Sequence, residues 1–135
     1  PELAPVSAAL PLLKPLRRPR LWAALWALAV LVVIVVCLIP PPPLDLPKNS
    51  DKVEHVLAYF ILAGSAVQLF RRGRPLLWAG VGLVLMGVCI EFAQGALTSN
   101  RSADAMDAIA NTIGVLAGMA TTFTPLRDLL LRWRG

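Results

Sequence analysis

The chain has 135 residues, which is the size of one domain, and 57% of them are hydrophobic while only 16% are charged. Because soluble domains carry about a quarter charged residues, this composition excludes an ordinary soluble fold and places the excess apolar surface in lipid. The net charge of +5 does not indicate a nucleic-acid partner, since the basic residues stand in short flanks between apolar runs, where Lys and Arg orient membrane proteins.

Four apolar segments predict an all-α, polytopic membrane protein, a bundle of four transmembrane helices. Residues 1–20 are a basic, Pro-rich N-terminal segment, and 125–135 form a basic tail. The first apolar segment, 21–39, is uncharged and long enough for a hydrocarbon core of about 30 Å. Between the two basic segments the transmembrane domain covers 21–124, with spans predicted at about 21–39, 52–70, 76–97 and 104–124.

The distribution of Lys and Arg predicts the orientation. Ten of the 13 basic residues lie in the N-terminal segment, the connection between spans two and three, and the tail. The other three, Lys48, Lys52 and Arg101, lie at the opposite ends of the spans. The positive-inside rule therefore predicts a multi-pass membrane protein with both termini in the cytoplasm and Lys52 on the outer side.

Polar residues on the second span form a stripe at its outer end. Asp51, His55 and Tyr59 are spaced by four, so they share one face of a helix, and Lys52 lies beside them. A titratable stripe that enters lipid is costly unless it faces the protein interior. This spacing predicts one wall of a membrane-embedded site.

The third and fourth spans carry matching polar residues near the same end. Glu91 and Gln94 share a face of span three, and Glu91 lies about 9 Å below the predicted boundary at 1.5 Å per residue. A carboxylate at that depth needs a partner, for which the candidates are His55, Lys52 and Arg101.

Span four carries Asp104, Asp107 and Asn111 on one side of the helix. Gly114 and Gly118 share that side. Small residues spaced by four are typical of a face that packs closely on a neighbouring helix. The acids of this span are therefore predicted to point into the bundle.

Most of these residues also have a structural interpretation. Asp51 and Asp104 are equally suited to cap helices. His55 fits a hydrogen-bonded interior histidine, and Tyr59 fits a core aromatic. Asn111 fits a hydrogen bond between helices.

The combined pattern resembles the VanZ-like family of small bacterial membrane proteins. The residues that carry it are Asp51-Lys52-x-x-His55-x-x-x-Tyr59, then Glu91-x-x-Gln94, then Arg101 and Asp107-x-x-x-Asn111-x-x-Gly114. The resemblance covers about 50–120 and implies a protein of the bacterial cytoplasmic (inner) membrane with its site on the outer, periplasmic side. It also implies a role at the cell envelope, since the founding member is linked to low-level resistance to the lipoglycopeptide teicoplanin.

Two classes of function remain open. The first is an enzyme acting on a lipid or lipid-linked envelope substrate, with Glu91, His55 and Asp107 as an acid–base cluster. In that hypothesis Lys52 and Arg101 hold an anionic head group. The ligand-binding residues are predicted to be Asp51, Lys52, Tyr59, Gln94, Arg101, Asp104 and Asn111. The second is a non-catalytic protein that binds a lipid anchor or a lipoglycopeptide, or in which the polar cluster is structural.

A transporter is a third hypothesis and would require an oligomer, because only four spans are predicted. The expected partners are the lipid bilayer and one such ligand.

No metal or cofactor is predicted. His55, Glu91, Asp104 and Asp107 offer one nitrogen and several oxygens, whereas a structural zinc site more often has several His or Cys ligands. No C-x-x-C motif occurs. The two cysteines, Cys37 and Cys89, lie in apolar runs where packing is favoured, and a disulfide between them is left open.

Overall fold

The computed structural model describes residues 11–39, 50–97 and 104–133, and most of them are helical. The all-α prediction is confirmed for these residues. The helices are α1 (Pro19–Leu38), α2 (Ser50–Leu69), α3 (Arg74–Leu97), α4 (Ala105–Ala120) and α5 (Leu129–Trp133), with 3-10 turns at Thr121–Phe123 and Pro125–Asp128.

Two of the described helices, α1 and α3, are long and apolar enough to cross a membrane. A third is added if α4 and the segment after it, bent by 82°, count as one span. This agrees with a membrane protein. α2 has the same 20-residue length as α1 but is not among these helices. Its first turns carry Asp51, Lys52 and Glu54, which lower its hydropathy, so the four-span bundle stays a prediction.

Helix α2 is the centre of the fold. It contacts α1, α3, α4 and α5, and its contact with α4 is the most extensive in the described part of the chain. Helix α1 contacts only α2 and α3 among these helices, and none of its residues is buried. Because α1 is apolar around its whole circumference, most of its surface is suited to lipid.

The close contact between α2 and α4 depends on two glycines. A Cβ on Gly114 would lie 2.4 Å from the carbonyl oxygen of Val56, and one on Gly118 would lie 2.7 Å from the backbone of Phe60 and Gly64. Only a residue without a side chain allows the two backbones to approach this closely. The prediction that Gly114 and Gly118 mark a packing face is confirmed.

Apolar residues of α2, α3 and α4 form the core of the bundle. One buried cluster contains Tyr59, Leu62, Ala63, Leu83 and Val115, and a second contains Ala66, Val67 and Leu76. Trp26 of α1 packs against both clusters, and its indole N–H donates to the Leu62 carbonyl at 3.0 Å. The polar tip of this tryptophan thus joins α1 to α2.

At the end of the bundle where α1 and α3 begin, which we call the basic end, the N-terminal segment is tied to the rest of the fold. Residues Leu13 and Phe70 form an isolated antiparallel bridge. Lys14 pairs with Asp128 at 3.0 Å and donates to the Arg127 carbonyl at 2.7 Å. The hydrogen bond from the Lys14 ammonium to the Asp128 carboxylate lowers the pKa of that carboxyl group.

Gln68 of α2 orients the segment after α4. Its amide nitrogen donates to the Leu126 carbonyl at 2.7 Å, and its oxygen accepts from the Leu130 N–H at 3.0 Å. Both bonds satisfy backbone groups of the bent segment, so α5 lies against the end of α2.

Candidate functional site

The ammonium of Lys52 lies among three carboxylates at the opposite end of the bundle. Lys52 Nζ is 3.1 Å from Asp51 Oδ2 and 2.8 Å from Asp104 Oδ2, and it also hydrogen-bonds Asp107 Oδ1. We call these four residues the Lys52 cluster. Because Asp104 and Asp107 belong to α4 and its cap, the cluster joins α2 to α4.

The cluster extends from water into the bundle. The Asp51 side chain is 58% exposed and that of Asp107 only 13%. Asp104 has two roles, because its Oδ1 also accepts from the Met106 N–H at 2.9 Å and caps α4. The capping interpretation of Asp104 is therefore confirmed, and the ion pair is additional.

His55 lies about one helical turn after Lys52 along α2 and also faces α4. Its Nδ1 is 2.8 Å from Asn111 Oδ1, and its Nε2 is 3.8 Å from Asp107 Oδ2. An accepting Asn111 oxygen requires a proton on Nδ1, which leaves Nε2 to accept a proton when His55 is neutral. Asn111 is therefore the residue of α4 that hydrogen-bonds neutral His55, and Asp107 pairs with the ring only when Nε2 also carries a proton.

Glu91 is buried between α3 and the start of α4. The residue is 5% exposed, and its Oε1 accepts from the Asp104 N–H at 2.6 Å. The other oxygen, Oε2, is buried and has no hydrogen-bond partner among the described residues. Among the described residues, neither Lys52 nor His55 hydrogen-bonds Glu91. Arg101, the third predicted partner, lies outside the described residues.

Tyr59 and Gln94 lie apart from the ion pairs. The Tyr59 ring belongs to the core cluster, which agrees with its structural interpretation, but its hydroxyl is buried without a partner within the described ranges. The Gln94 amide nitrogen donates to the Cys37 carbonyl at 2.7 Å and so joins α3 to α1. Tyr59 and Glu91 therefore leave one polar atom each with unused hydrogen-bonding capacity.

A cavity of about 210 Å³, the α1–α2 groove, opens beside His55. Its α1 wall consists of Val32, Val33, Val36 and Cys37, and its α2 wall includes Glu54, His55 and Tyr59. Glu54 was not among the predicted site residues, although its place directly before His55 in the first turns of α2 was a usable signal. One wall is apolar and the other carries titratable groups.

The described residues contain no group of three His, Cys, Asp or Glu side chains placed to hold a metal ion. Lys52 already supplies a positive charge among the three aspartates. The prediction that the protein uses no metal or cofactor stays a prediction. Cys37 and Cys89, whose pairing the sequence left open, are not joined by a disulfide.

Comparison of the chain with protein-family models, with curated proteins and with solved structures finds no match.

Proposed function

We propose that this chain is a VanZ-like protein of the bacterial cytoplasmic membrane that binds a lipid or lipid-linked envelope ligand in the α1–α2 groove. The observation that carries the proposal is the composition of the groove walls. Three valines of α1 face Glu54, His55 and Tyr59 of α2 across the cavity. An amphiphile fits this arrangement, with its alkyl part against α1 and its polar part beside His55.

The charges around His55 favour a head group that donates hydrogen bonds. Three carboxylates, those of Asp51, Asp104 and Asp107, already contact the Lys52 ammonium, and a further carboxylate, that of Glu54, lines the groove beside His55. The expectation that Lys52 holds an anionic head group is disfavoured by this geometry, because a phosphate would compete with those carboxylates. Amine or hydroxyl groups, which lipid-linked sugars and lipoglycopeptides carry, suit the site better.

The VanZ-like assignment rests on the sequence motifs. The proposal therefore includes a contribution to tolerance of teicoplanin-type antibiotics, as the resemblance implies. An acid–base role for Glu91, His55 and Asp107 is compatible with the contact of His55 with Asp107 and with the unpartnered Oε2 of Glu91.

A structural role is the second candidate. It is favoured by one observation, that Lys52 binds Asp104 and Asp107 and so holds α2 against α4. In that case the acids serve the bundle, and no ligand is needed to explain them.

The variant Glu91→Gln separates these two candidates. The amide keeps the size of the side chain and still accepts from the Asp104 N–H, so the protein should stay folded. We expect antibiotic tolerance, measured with teicoplanin in cells with matched expression, to be lost if Glu91 serves the ligand site. The melting temperature in detergent should be at or above that of the wild type, because a buried charge is removed.

Asp128→Asn is the matched control, since it converts a carboxylate to an amide at the basic end and should leave tolerance unchanged. Wild-type tolerance in Glu91→Gln would overturn a functional role for this residue, and a large fall in its melting temperature would favour the structural candidate.

We also propose four spans with both termini in the cytoplasm, supported by the asymmetry of Lys and Arg. Single cysteines are introduced at Arg74 and Ser99 in a chain carrying Cys37→Ala and Cys89→Ala. Arg74 is preferred to the adjacent Gly73, whose φ of 105° strains any other residue. We expect an impermeant thiol reagent to label Ser99→Cys in intact cells and Arg74→Cys only after lysis. The reverse labelling pattern would show that the orientation is opposite to the one proposed.

A further inference from the structure

We propose that a second groove, between α1 and α3 at the basic end, binds an anionic phospholipid. This α1–α3 groove has a volume of about 470 Å³, within the usual range of ligand sites. Its walls include Trp26, Val30, Trp78, Gly82 and Leu83, and Arg74 is its one charged lining residue. The proposal does not rest on the function proposed above, because the groove lies at the opposite end of the bundle from the Lys52 cluster.

The dimensions of the groove match one lipid leaflet. Its lining residues on α3 extend from Arg74 to Met86, a rise of about 18 Å at 1.5 Å per residue. A leaflet contributes half of a hydrocarbon core of about 30 Å. An acyl chain can therefore follow α3 from Arg74 inward, with its head group at the level where α3 begins. Trp78, which is 68% exposed, lies one turn inside Arg74, in the interfacial zone that tryptophan favours.

The guanidinium of Arg74 is available for that head group. The Arg74 side chain is exposed and makes no hydrogen bond or ion pair within residues 11–39, 50–97 and 104–133. At the basic end, Asp128 is the one acidic residue that the structure describes, and it is engaged by Lys14 and Arg127. The described basic residues at this end are Lys14, Arg17, Arg18, Arg20, Arg71, Arg72, Arg74, Arg127 and Arg132.

The excess of basic residues at this end favours an anionic lipid over a zwitterionic one. A zwitterionic lipid would fill the apolar walls equally well and also carries a phosphodiester, but its ammonium group would add a positive charge to the basic end. An anionic phospholipid brings its phosphodiester without that cation, and basic pockets between helices are the sites at which such head groups bind. The apolar walls and the unpartnered cation together fit a lipid such as phosphatidylglycerol.

The experiment uses the purified full chain in detergent, with phosphatidylglycerol or phosphatidylcholine of identical acyl chains added. Bound lipid is counted by native mass spectrometry, and thermal stabilisation is followed over a lipid titration. We expect phosphatidylglycerol to bind more tightly. Arg74→Gln should weaken its binding roughly five- to tenfold and weaken the binding of phosphatidylcholine by a smaller factor. Arg17→Gln removes the same charge from an exposed residue at the same end, outside the groove, and should have little effect.

A second variant tests the groove without changing charge. A Cβ on Gly82 meets no atom within 4 Å, so Gly82→Leu can fill the groove while the helix stays intact. We expect it to lose bound phosphatidylglycerol and keep a wild-type melting temperature in the absence of lipid. Gly64→Leu, at another helical glycine with no atom within 4 Å, is the control and should still bind the lipid.

Four results would overturn the proposal. The first is equal binding of the two lipids, and the second is an equal loss in Arg17→Gln and Arg74→Gln, which would show nonspecific attraction to the basic end. The third is binding that occurs only after deletion of residues 1–10, which would make the N-terminal segment of the chain the occupant. If Arg74→Gln does not fold, retained phosphatidylglycerol in Gly82→Leu also contradicts the proposal.

Discussion

Gly114→Val should separate α2 from α4 and leave little folded protein. A Cβ at this position would lie 2.4 Å from the Val56 carbonyl oxygen and 3.1 Å from the Phe60 backbone nitrogen. Both atoms belong to the backbone of the central helix, so no rotation of a side chain can relieve the clash. Overpacking usually costs about 1–3 kcal/mol, and we expect the loss here to exceed that range because two helices must move apart.

The melting temperature and the monodisperse fraction in detergent measure this effect. Gly82→Ala is the matched control, because it adds the same first carbon to a helical glycine with open space around it. Alanine there should be neutral or should stabilise by about 0.5–1 kcal/mol. A wild-type melting temperature in Gly114→Val would show that the close contact between α2 and α4 is not required for folding.

Lys52→Gln should produce the second large effect, because it leaves three carboxylates close together without a cation. We expect a loss of about 2 kcal/mol, below the value for a fully buried pair, since the Lys52 side chain is 26% exposed. The decisive measurement is a double-mutant cycle with Asp107→Asn, followed by thermal unfolding.

The sign of the Asp107→Asn effect should depend on the residue at position 52. With Lys52 present, Asp107→Asn removes a partly buried ion pair and lowers stability. With glutamine at position 52, the same change removes repulsion and raises stability. Asp104→Asn should show a smaller effect, because its side chain is 43% exposed against 13% for Asp107. Additive effects in the cycle would show that Lys52 does not act through these acids.

The stability and function experiments together separate the roles of the polar residues. Lys52 and Asp104 join helices, so their variants should change the melting temperature first. Glu91 has an oxygen that no described residue satisfies, so Glu91→Gln should change function without lowering stability. A shared loss of stability in all of these variants would make the whole constellation structural.

Sequence periodicity by itself determined which residues share a face. The spacing of four places Asp51, His55 and Tyr59 along α2, and the glycines of α4 predicted a close helix contact, because both inferences depend only on helix geometry. The apolar composition likewise indicated a helical membrane protein.

The tertiary structure decided which polar groups meet. Lys52 was an expected partner of Glu91, but the close packing at Gly114 and Gly118 draws the start of α4 to α2, so Lys52 binds Asp104 and Asp107 instead. Periodicity gives the direction of a side chain from its own helix and carries no information about the distance between two helices. For the same reason the 82° bend after α4, held by the two bonds of Gln68, depended on contacts 58 and 62 residues apart in the sequence.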